Sequence, residues 1–362
     1  SVFKHSGGLR VFCFNVESGS NKKGQTELRT CVTTGRVLFV VDESQRIKTP
    51  GAKRTKFIVN LARHAEFRRI MSGSPITQSP LDLYAQFKFL DPTITGYSTY
   101  TAYRNHYAVI EVRKTNNNRR GSYEQVVGYK NIAELERRVS PHCFRVMKSE
   151  CLDLPDKVYE KVYVDMTAEQ KRIYKQLLEE SVAVLTEECN IDIPRELQGA
   201  SDEQLMLFFA DNKVTDKNAM VKLLRLQQVL CGSLPNDEGE VTVLDSNRLK
   251  VLDELTDSIQ GKVIIWARFK NDVALIRNML HDKYGDNCLA EFHGAVSTAD
   301  RMDGVSRFQN DPACRFFLAN QHSGGTGLTL TQASDVIYYS NDFSAEARWQ
   351  SEDRAHRIGQ KN

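Results

Sequence analysis

The stretch RVLFVV at residues 36–41 is a short apolar run rich in β-branched residues, and it ends abruptly in DESQ at residues 42–45. A run of this length and composition predicts a fully buried strand of the kind that parallel sheets contain. Ligands of open α/β sheets bind beyond the carboxyl ends of the strands. Since Asp42 and Glu43 directly follow this strand, they lie where a nucleotide site is expected. An ordinary surface turn also contains such a pair, so the two acids alone do not identify a site.

Three further apolar runs lie towards the end of the chain and predict a second set of strands. These runs are VIIW at 263–266, RFFLA at 315–319 and VIYY at 336–339. A segment with helical periodicity, Asp272–Leu280, lies between the first two of them. Strands that alternate with amphipathic helices predict βαβ units. The sequence therefore predicts an α/β protein with two doubly wound parallel-sheet lobes.

The middle of the chain has a different pattern. Residues 113–122 are polar and predict an exposed loop. Residues 167–189 and 203–230 carry apolar side chains at helical spacing, and Thr167 with Gln170 resembles a capping box. These features predict a helical segment inserted between the two lobes.

Composition and charge narrow the class of protein. The chain has 362 residues, of which 41% are hydrophobic and 26% charged, as in soluble globular proteins, and it has no apolar run long enough to span a membrane. The net charge of +3 hides an uneven distribution, since residues 1–150 hold 25 Lys and Arg against 12 Asp and Glu, whereas residues 151–362 hold 24 against 34. This asymmetry favours a polyanionic partner for the first half, although solvated faces without a partner would also produce it.

Eight cysteines are spread along the chain without a C-x-x-C pair. This spacing argues against a zinc site, and the chain length argues against a disulfide framework. We expect free thiols in a reducing cytosol.

Three other stretches carry candidate chemistry. Small hydroxyl residues in SGSP at 72–75 could relay between a nucleotide site and a second ligand, and the glycines of GGTGLTL at 324–330 would let the backbone approach a phosphate. Arg354 and Arg357 are three residues apart, so on a helix they would share a face and could offer two guanidinium groups to a triphosphate. Taken singly, each stretch is also compatible with a turn or a solvated face.

In this order, the stretches resemble the Swi/Snf family of DNA-translocating ATPases within helicase superfamily two. The resemblance covers nearly the whole chain, and its compact middle is most similar to phage- or prophage-encoded members. The matching stretches are DESQRIKTP at 42–50 (Walker B box), SGSP at 72–75 (the Thr-Gly-Thr-Pro motif, with serine for both threonines), GGTGLTL at 324–330 (motif V) and DRAHRIGQ at 353–360 (motif VI).

The resemblance implies two RecA-like lobes with a helical insertion between them, the first lobe being incomplete. We expect the C-terminal part of the first lobe at 1–164, with a small insertion at about 93–140. The helical insertion is expected at 165–240 and the second lobe at 241–362.

The implied function is that of an ATP-dependent double-stranded DNA translocase, which couples ATP hydrolysis in an interlobe cleft to movement along the DNA backbone. Such an enzyme could remodel protein–DNA complexes or anneal strands, and its cofactors are ATP and Mg²⁺. In these roles Asp42 would hold Mg²⁺, Glu43 would position the attacking water, and Arg354 and Arg357 would act as arginine fingers. The implied ATP-binding residues are Gly325, Gly327 and Gln360.

The implied partner is double-stranded DNA, gripped through its backbone, which makes binding independent of base sequence and sensitive to salt. No membrane and no zinc are implied, and we expect a cytoplasmic location, in a bacterial host cell if a phage encodes the chain. The candidate DNA-binding residues are Arg46, Lys48, Lys53, Arg54, Lys56, Ser72, Ser74 and Thr329.

Two departures from the family pattern matter. The family requires a phosphate-binding loop, G-x-x-x-x-G-K-[ST], and the stretch GSNKKGQT at 19–26 has its glycine spacing but carries Gln25 in place of the lysine. We therefore expect that the chain starts after motif I, stops just past motif VI and is inactive alone. The second departure, Gln45 for the usual histidine, bears on the coupling between the nucleotide and DNA sites. Alternatives are a strand-separating helicase of the same fold and a non-hydrolytic DNA-binding module.

Overall fold

The computed structural model describes residues 10–114, 122–152, 154–187, 217–236, 240–324 and 327–360. The chain divides into two compact units, residues 1–146 and residues 147–362. The predicted division into three segments at 164 and 240 stays a prediction.

The first unit begins with helices and parallel strands and continues into an antiparallel hairpin. Its helices are α1 (Lys22–Thr33), α2 (Lys53–Leu61), α3 (Leu83–Leu90), α4 (Tyr100–Tyr107) and α5 (Ile132–Val139). Its strands are β1 (Leu38–Val41), β2 (Phe67–Ile70), β3 (Ala108–Lys114) and β4 (Ser122–Tyr129).

Strand β1 forms where the apolar run predicted it, but it is not fully buried. It pairs in parallel with β2, with Leu38 opposite Phe67. Only one face of β1 packs inwards, where Val41 is 5% exposed; on the other face Leu38 is 56% and Val40 40% exposed. The prediction of burial on both faces is therefore wrong, because β1 belongs to a two-stranded sheet whose second face is open in the described part of the chain.

The rest of the first unit is built on an aromatic core. The hairpin of β3 and β4 packs with α3, α4 and α5 around Tyr84, Tyr103 and Tyr107, which are almost completely buried. The predicted loop at 113–122 is shorter than expected, because residues 113–114 and 122 belong to the two strands. Residues 115–121 lie outside the described residues.

The second unit contains a four-stranded parallel sheet and a helical segment. Its helices are α6 (Lys148–Cys151), α7 (Ala168–Glu187), α8 (Lys217–Leu230), α9 (Asn247–Ser258), α10 (Lys270–Tyr284), α11 (Thr298–Asn310), α12 (Gln321–Gly324) and α13 (Ala345–Glu352). Its strands are β5 (Ser233–Pro235), β6 (Val241–Val243), β7 (Lys262–Trp266), β8 (Leu289–Phe292), β9 (Phe316–Ala319) and β10 (Ala333–Tyr338).

The sheet has the order β10-β7-β9-β8 and is covered on both faces. Successive side chains of a strand point to opposite faces, and here each set packs against a different group of helices. The side chains packed with α9 and α10 are Val263, Ile265, Phe316 and Leu318. Those packed with α11 are Ile264, Trp266, Phe317 and Ala319. The predicted α/β class with doubly wound parallel strands is confirmed.

The helical segment begins with the predicted capping box. Gln170 Oε1 accepts a hydrogen bond from the Thr167 backbone amide at 3.1 Å, and Thr167 Oγ1 accepts one from the Gln170 amide at 3.2 Å. This reciprocal pair satisfies two amides at the start of α7. Helix α8 covers the end of the second predicted helical stretch, whereas residues 188–216 lie outside the described residues.

Candidate functional site

The acidic pair lies directly at the carboxyl end of β1. Asp42 is exposed, and its Oδ1 accepts a hydrogen bond from the Glu43 amide at 2.9 Å. Glu43 has a left-handed backbone, with φ 50° and ψ 54°, which costs a non-glycine residue about 1–2 kcal/mol. The next amide, that of Ser44, donates to the Met71 carbonyl at 2.9 Å, which brings the segment after β2 beside the acids.

A continuous hydrogen-bonded path joins this pair to the Ser-Gly-Ser-Pro stretch. Gln45 Nε2 donates to Glu43 Oε2 at 2.7 Å, and Ser72 Oγ donates to Gln45 Oε1 at 2.7 Å. Ser72 Oγ in turn accepts from the Ser74 amide at 3.0 Å. Gln45 is 4% exposed, so the middle of the path is shielded from water. Two stretches that are separate in sequence therefore form one hydrogen-bonded network of Glu43, Gln45, Ser72 and Ser74, which we call the relay.

A second contact, which we did not predict, holds the same two segments together. Ser44 Oγ donates to Gln86 Oε1 at 2.6 Å, and Gln86 Nε2 donates to the Pro75 carbonyl at 2.7 Å. Ser44 and Gln86 are both fully buried. A glutamine within the apolar face of α3 was the available sequence signal, since a buried polar side chain needs partners.

The basic run after the acids divides into two groups. Arg46, Lys53 and Lys56 are exposed. In contrast, Lys48 Nζ contacts Thr77 Oγ1 and lies 3.8 Å from Asp82 Oδ2.

Arg54 likewise has partners within the unit. Its guanidinium pairs with Glu17, and its Nε donates to the Arg46 carbonyl at 2.9 Å. Lys48 and Arg54 thus have internal structural contacts, whereas the three exposed cations face solvent.

The glycine-spaced stretch at 19–26 is packed as a structural element. Gln25 Nε2 donates to the Gly19 carbonyl at 2.8 Å, which closes the stretch on itself. A Cβ at Gly24 would lie 2.4 Å from the Ser18 carbonyl oxygen, so glycine is required there by the close approach of the backbone. Packing thus accounts for Gly24 without a phosphate.

The two motif VI arginines converge on one carbonyl, although not through a shared helix face. Helix α13 ends at Glu352, so the expectation that Arg354 and Arg357 lie on a helix is wrong. The Arg354 carbonyl accepts from the Leu330 amide at 2.9 Å, a tertiary hydrogen bond in place of a helical one. Both guanidinium groups nevertheless contact the Leu328 carbonyl, with Nη1–O distances of 3.2 and 3.3 Å.

The remaining motif V and VI residues surround this convergence point. Gly327 is exposed and has φ 77°, and within the described ranges no atom beyond its chain neighbours lies within 4 Å of the position a Cβ would take, which leaves room for a ligand to approach. Thr329 is exposed, and its Oγ1 lies 3.4 Å from Arg357 Nη1. Gln360 Nε2 donates to the Ala333 carbonyl at 2.9 Å, which ties motif VI to the start of β10. Gly325 lies outside the described residues.

Asp42 is compatible with the Mg²⁺ ion of the implied MgATP. The exposed carboxylate of Asp42 is a hard oxygen ligand, suited to a Mg²⁺ ion that keeps several of its waters. In the ranges that the structure describes, no group of three or more His, Cys, Asp and Glu residues could hold a metal ion. No helix among those residues is long and apolar enough to cross a membrane.

The predicted residues therefore assemble into two groups, each within its own unit. The first unit holds the relay together with Asp42 and the exposed cations. The second unit holds Arg354 and Arg357 with Gly327 and Thr329. The roles of all these residues stay predictions.

Comparisons with known proteins give the family. Residues 22–231 match the SNF2-related domain, and residues 247–359 match the helicase conserved C-terminal domain. The TATA-binding protein-associated factor mot1 of Schizosaccharomyces pombe is 28% identical over 356 residues, covering 89% of this chain and 18% of that protein. The DNA annealing helicase and endonuclease ZRANB3 of Bos taurus is 25% identical over 330 residues, covering 89% of this chain and 26% of that protein.

A solved structure is similar as well. The SWI2/SNF2 ATPase core of Sulfolobus solfataricus in complex with dsDNA aligns with 93% of this chain and 65% of that chain, at 24% identity and a TM-score of 0.38. The chain spans less than a third of the length of the curated relatives named above. Since the SNF2-related domain alone matches more than half of its residues, the chain belongs to the SNF2-related family of helicase superfamily two.

Proposed function

We propose that this chain forms part of an ATP-driven translocase that moves along double-stranded DNA. The observation that carries the proposal is the relay, which links Glu43 through Gln45 to Ser72 and Ser74 by hydrogen bonds of 2.7–3.0 Å. In this assignment Glu43 orients the attacking water and the two serines contact the DNA backbone. A change at the serines on DNA binding would then alter the orientation of the Glu43 carboxylate.

DNA binding would rest on exposed cations and hydroxyls of both units. Arg46, Lys53 and Lys56 are exposed and can neutralise phosphates, and Thr329 offers an exposed hydroxyl in the second unit. Because these contacts are made with the backbone, binding should be independent of base sequence and should weaken with added salt. Lys48 and Arg54, which have internal partners, would contribute less than these three.

When bound, MgATP would supply a polarised γ-phosphoryl group as the target of water. Asp42 would hold the metal ion, and the accessible backbone at Gly327 would approach a phosphate. Arg354 and Arg357 would offset negative charge that develops on the phosphoryl oxygens. Their shared contact with the Leu328 carbonyl brings the two guanidinium groups together.

Hydrolysis requires a phosphate-binding loop, and no G-x-x-x-x-G-K-[ST] occurs in the 362 residues. We therefore propose that motif I has to be supplied by additional residues and that the 362 residues alone do not hydrolyse ATP. This same absence favours the alternative of a non-hydrolytic DNA-binding module.

The experiment that tests the proposal uses a polypeptide that joins a motif I segment to these 362 residues. We expect ATP-dependent displacement of a third strand from a triplex, without separation of the two duplex strands. Separation of a forked duplex would favour the strand-separating helicase. DNA binding without hydrolysis would favour the non-hydrolytic module.

A further inference from the structure

Residues 155–159, which we call the strap, run beside motif VI without regular secondary structure. The strap and motif VI both belong to the second unit, although 195 residues separate Lys157 from Glu352. His356 Nε2 lies 2.9 Å from the Pro155 carbonyl oxygen, so the strap contacts motif VI at its first residue, whereas Tyr159, its last residue, contacts Glu352 just before motif VI.

Glu352, the last residue of α13, is the centre of these contacts. Its Oε2 accepts hydrogen bonds from Lys157 Nζ at 3.0 Å and from Tyr159 Oη at 2.8 Å. Its Oε1 accepts from Arg348 Nε at 2.8 Å. The Glu352 side chain is only 12% exposed, and Lys157 Nζ also lies 3.7 Å from Asp353 Oδ1.

The charge state of Glu352 fits this arrangement. Burial opposes ionisation of the carboxyl, but the hydrogen bonds from Arg348, Lys157 and Tyr159 outweigh it and hold the pKa of Glu352 below its usual value. A partly buried carboxylate with several charge-assisted hydrogen bonds has a fixed geometry.

The other side of this helix end is fixed to the sheet. The guanidinium carbon of Arg348 lies 3.3 Å from the centre of the Tyr338 ring on β10, and Tyr338 Oη is 2.8 Å from Ser351 Oγ. Glu352 is therefore held between the sheet, through Arg348, and the strap. Since α13 stops at Glu352, the arginines that follow have no helix to orient them and depend on such tertiary contacts.

We propose that Lys157 and Tyr159 are positioning residues that fix the end of α13 and thereby the orientation of Arg354 and Arg357. This inference rests on the proposed function, in which the two arginines serve ATP hydrolysis. The strap begins nine residues after the first unit ends, so hydrogen bonds tie this stretch of the chain to the end of α13 and to motif VI.

The chain offers a matched control for the test. Lys161 and Tyr163 repeat the Lys-x-Tyr spacing four residues further on and are exposed, Tyr163 by 86%. The first comparison is amide hydrogen exchange of residues 353–358 in the 362-residue chain. Lys157→Met with Tyr159→Phe should lower protection there by about tenfold, because two of the three hydrogen bonds to Glu352 are lost and contacts from exposed side chains contribute less than buried ones. Lys161→Met with Tyr163→Phe should leave it unchanged, and equal protection in both variants overturns the proposal.

The second comparison is ATP hydrolysis in the polypeptide that contains motif I. The Lys157/Tyr159 variant should lower kcat by about tenfold with little change in KM, and Lys157→Arg alone should retain most of the rate. Equal kcat values for the two variant pairs overturn the positioning role. If the double variant does not fold, the single variants Tyr159→Phe and Tyr163→Phe replace the two pairs in the same comparison of kcat, since each removes only a hydroxyl group. Absence of hydrolysis in the unsubstituted protein would instead count against the proposed function, while the exchange comparison still decides the role of the strap.

Discussion

Replacing Ser72 by alanine interrupts the relay at its centre. The substitution removes the hydrogen bond to Gln45 Oε1 and leaves the Ser74 amide without its serine acceptor. A typical intramolecular hydrogen bond contributes about 1 kcal/mol net, so the two together correspond to about 2 kcal/mol, or roughly thirtyfold in the local opening equilibrium. Ser72→Thr keeps the hydroxyl and should leave the local opening equilibrium nearly unchanged.

Two assays follow the effect of Ser72→Ala. Amide exchange of residues 72–76 measures the opening equilibrium in the 362-residue chain, with Ser98→Ala, at an exposed serine of the same unit, as the matched control. In the polypeptide with motif I, the ratio of DNA-stimulated to basal ATP hydrolysis should fall by about tenfold. A variant that exchanges faster but keeps the full stimulation ratio would refute the relay as a coupling device and leave it a structural contact.

Two further predictions concern pH and salt. Burial raises the pKa of Asp272 to about 6, so ionisation of its carboxyl destabilises the second unit by up to about 3 kcal/mol as pH rises from about 4 to 7. The free energy of unfolding of Asp272→Asn should therefore increase relative to that of the parent as pH rises, measured by urea unfolding with the fluorescence of buried Trp266 as the probe. A difference in stability that does not change with pH would contradict this. Lys53→Ala and Lys56→Ala should each lower the slope of log K for duplex DNA against log salt by up to about 1. Arg54→Ala should lower it by less than either, because Arg54 pairs with Glu17, and an equal effect per residue would show that this pairing does not restrain Arg54.

The second sheet was the part of the fold most accessible from sequence. Its strands β7 and β9 are buried on both faces, so their apolar runs were continuous and gave the strand positions to within one residue. Burial of β1 was predicted wrongly from the same kind of run. Hydrophobicity shows what a strand can bury, but which faces are covered depends on neighbours elsewhere in the chain.

The candidate site shows the same division between local and tertiary information. The acidic pair and motif VI could be found because each is contiguous in sequence. The internal pairing of Lys48 with Asp82 could not be predicted, because the partners are brought together by the fold. The end of α13 before Arg354 was missed for the same reason, since the Arg354 carbonyl bonds to Leu330 rather than within a helix.

The most direct test of the central claim is the rate of ATP hydrolysis by the polypeptide that joins motif I to these 362 residues, measured with and without duplex DNA. We expect duplex DNA to raise the rate and Glu43→Gln to lower the stimulated rate by about a hundredfold or more, since the substitution removes the carboxylate that orients the attacking water. Stimulated hydrolysis that survives Glu43→Gln, or that the 362 residues perform without motif I, would contradict the assignment.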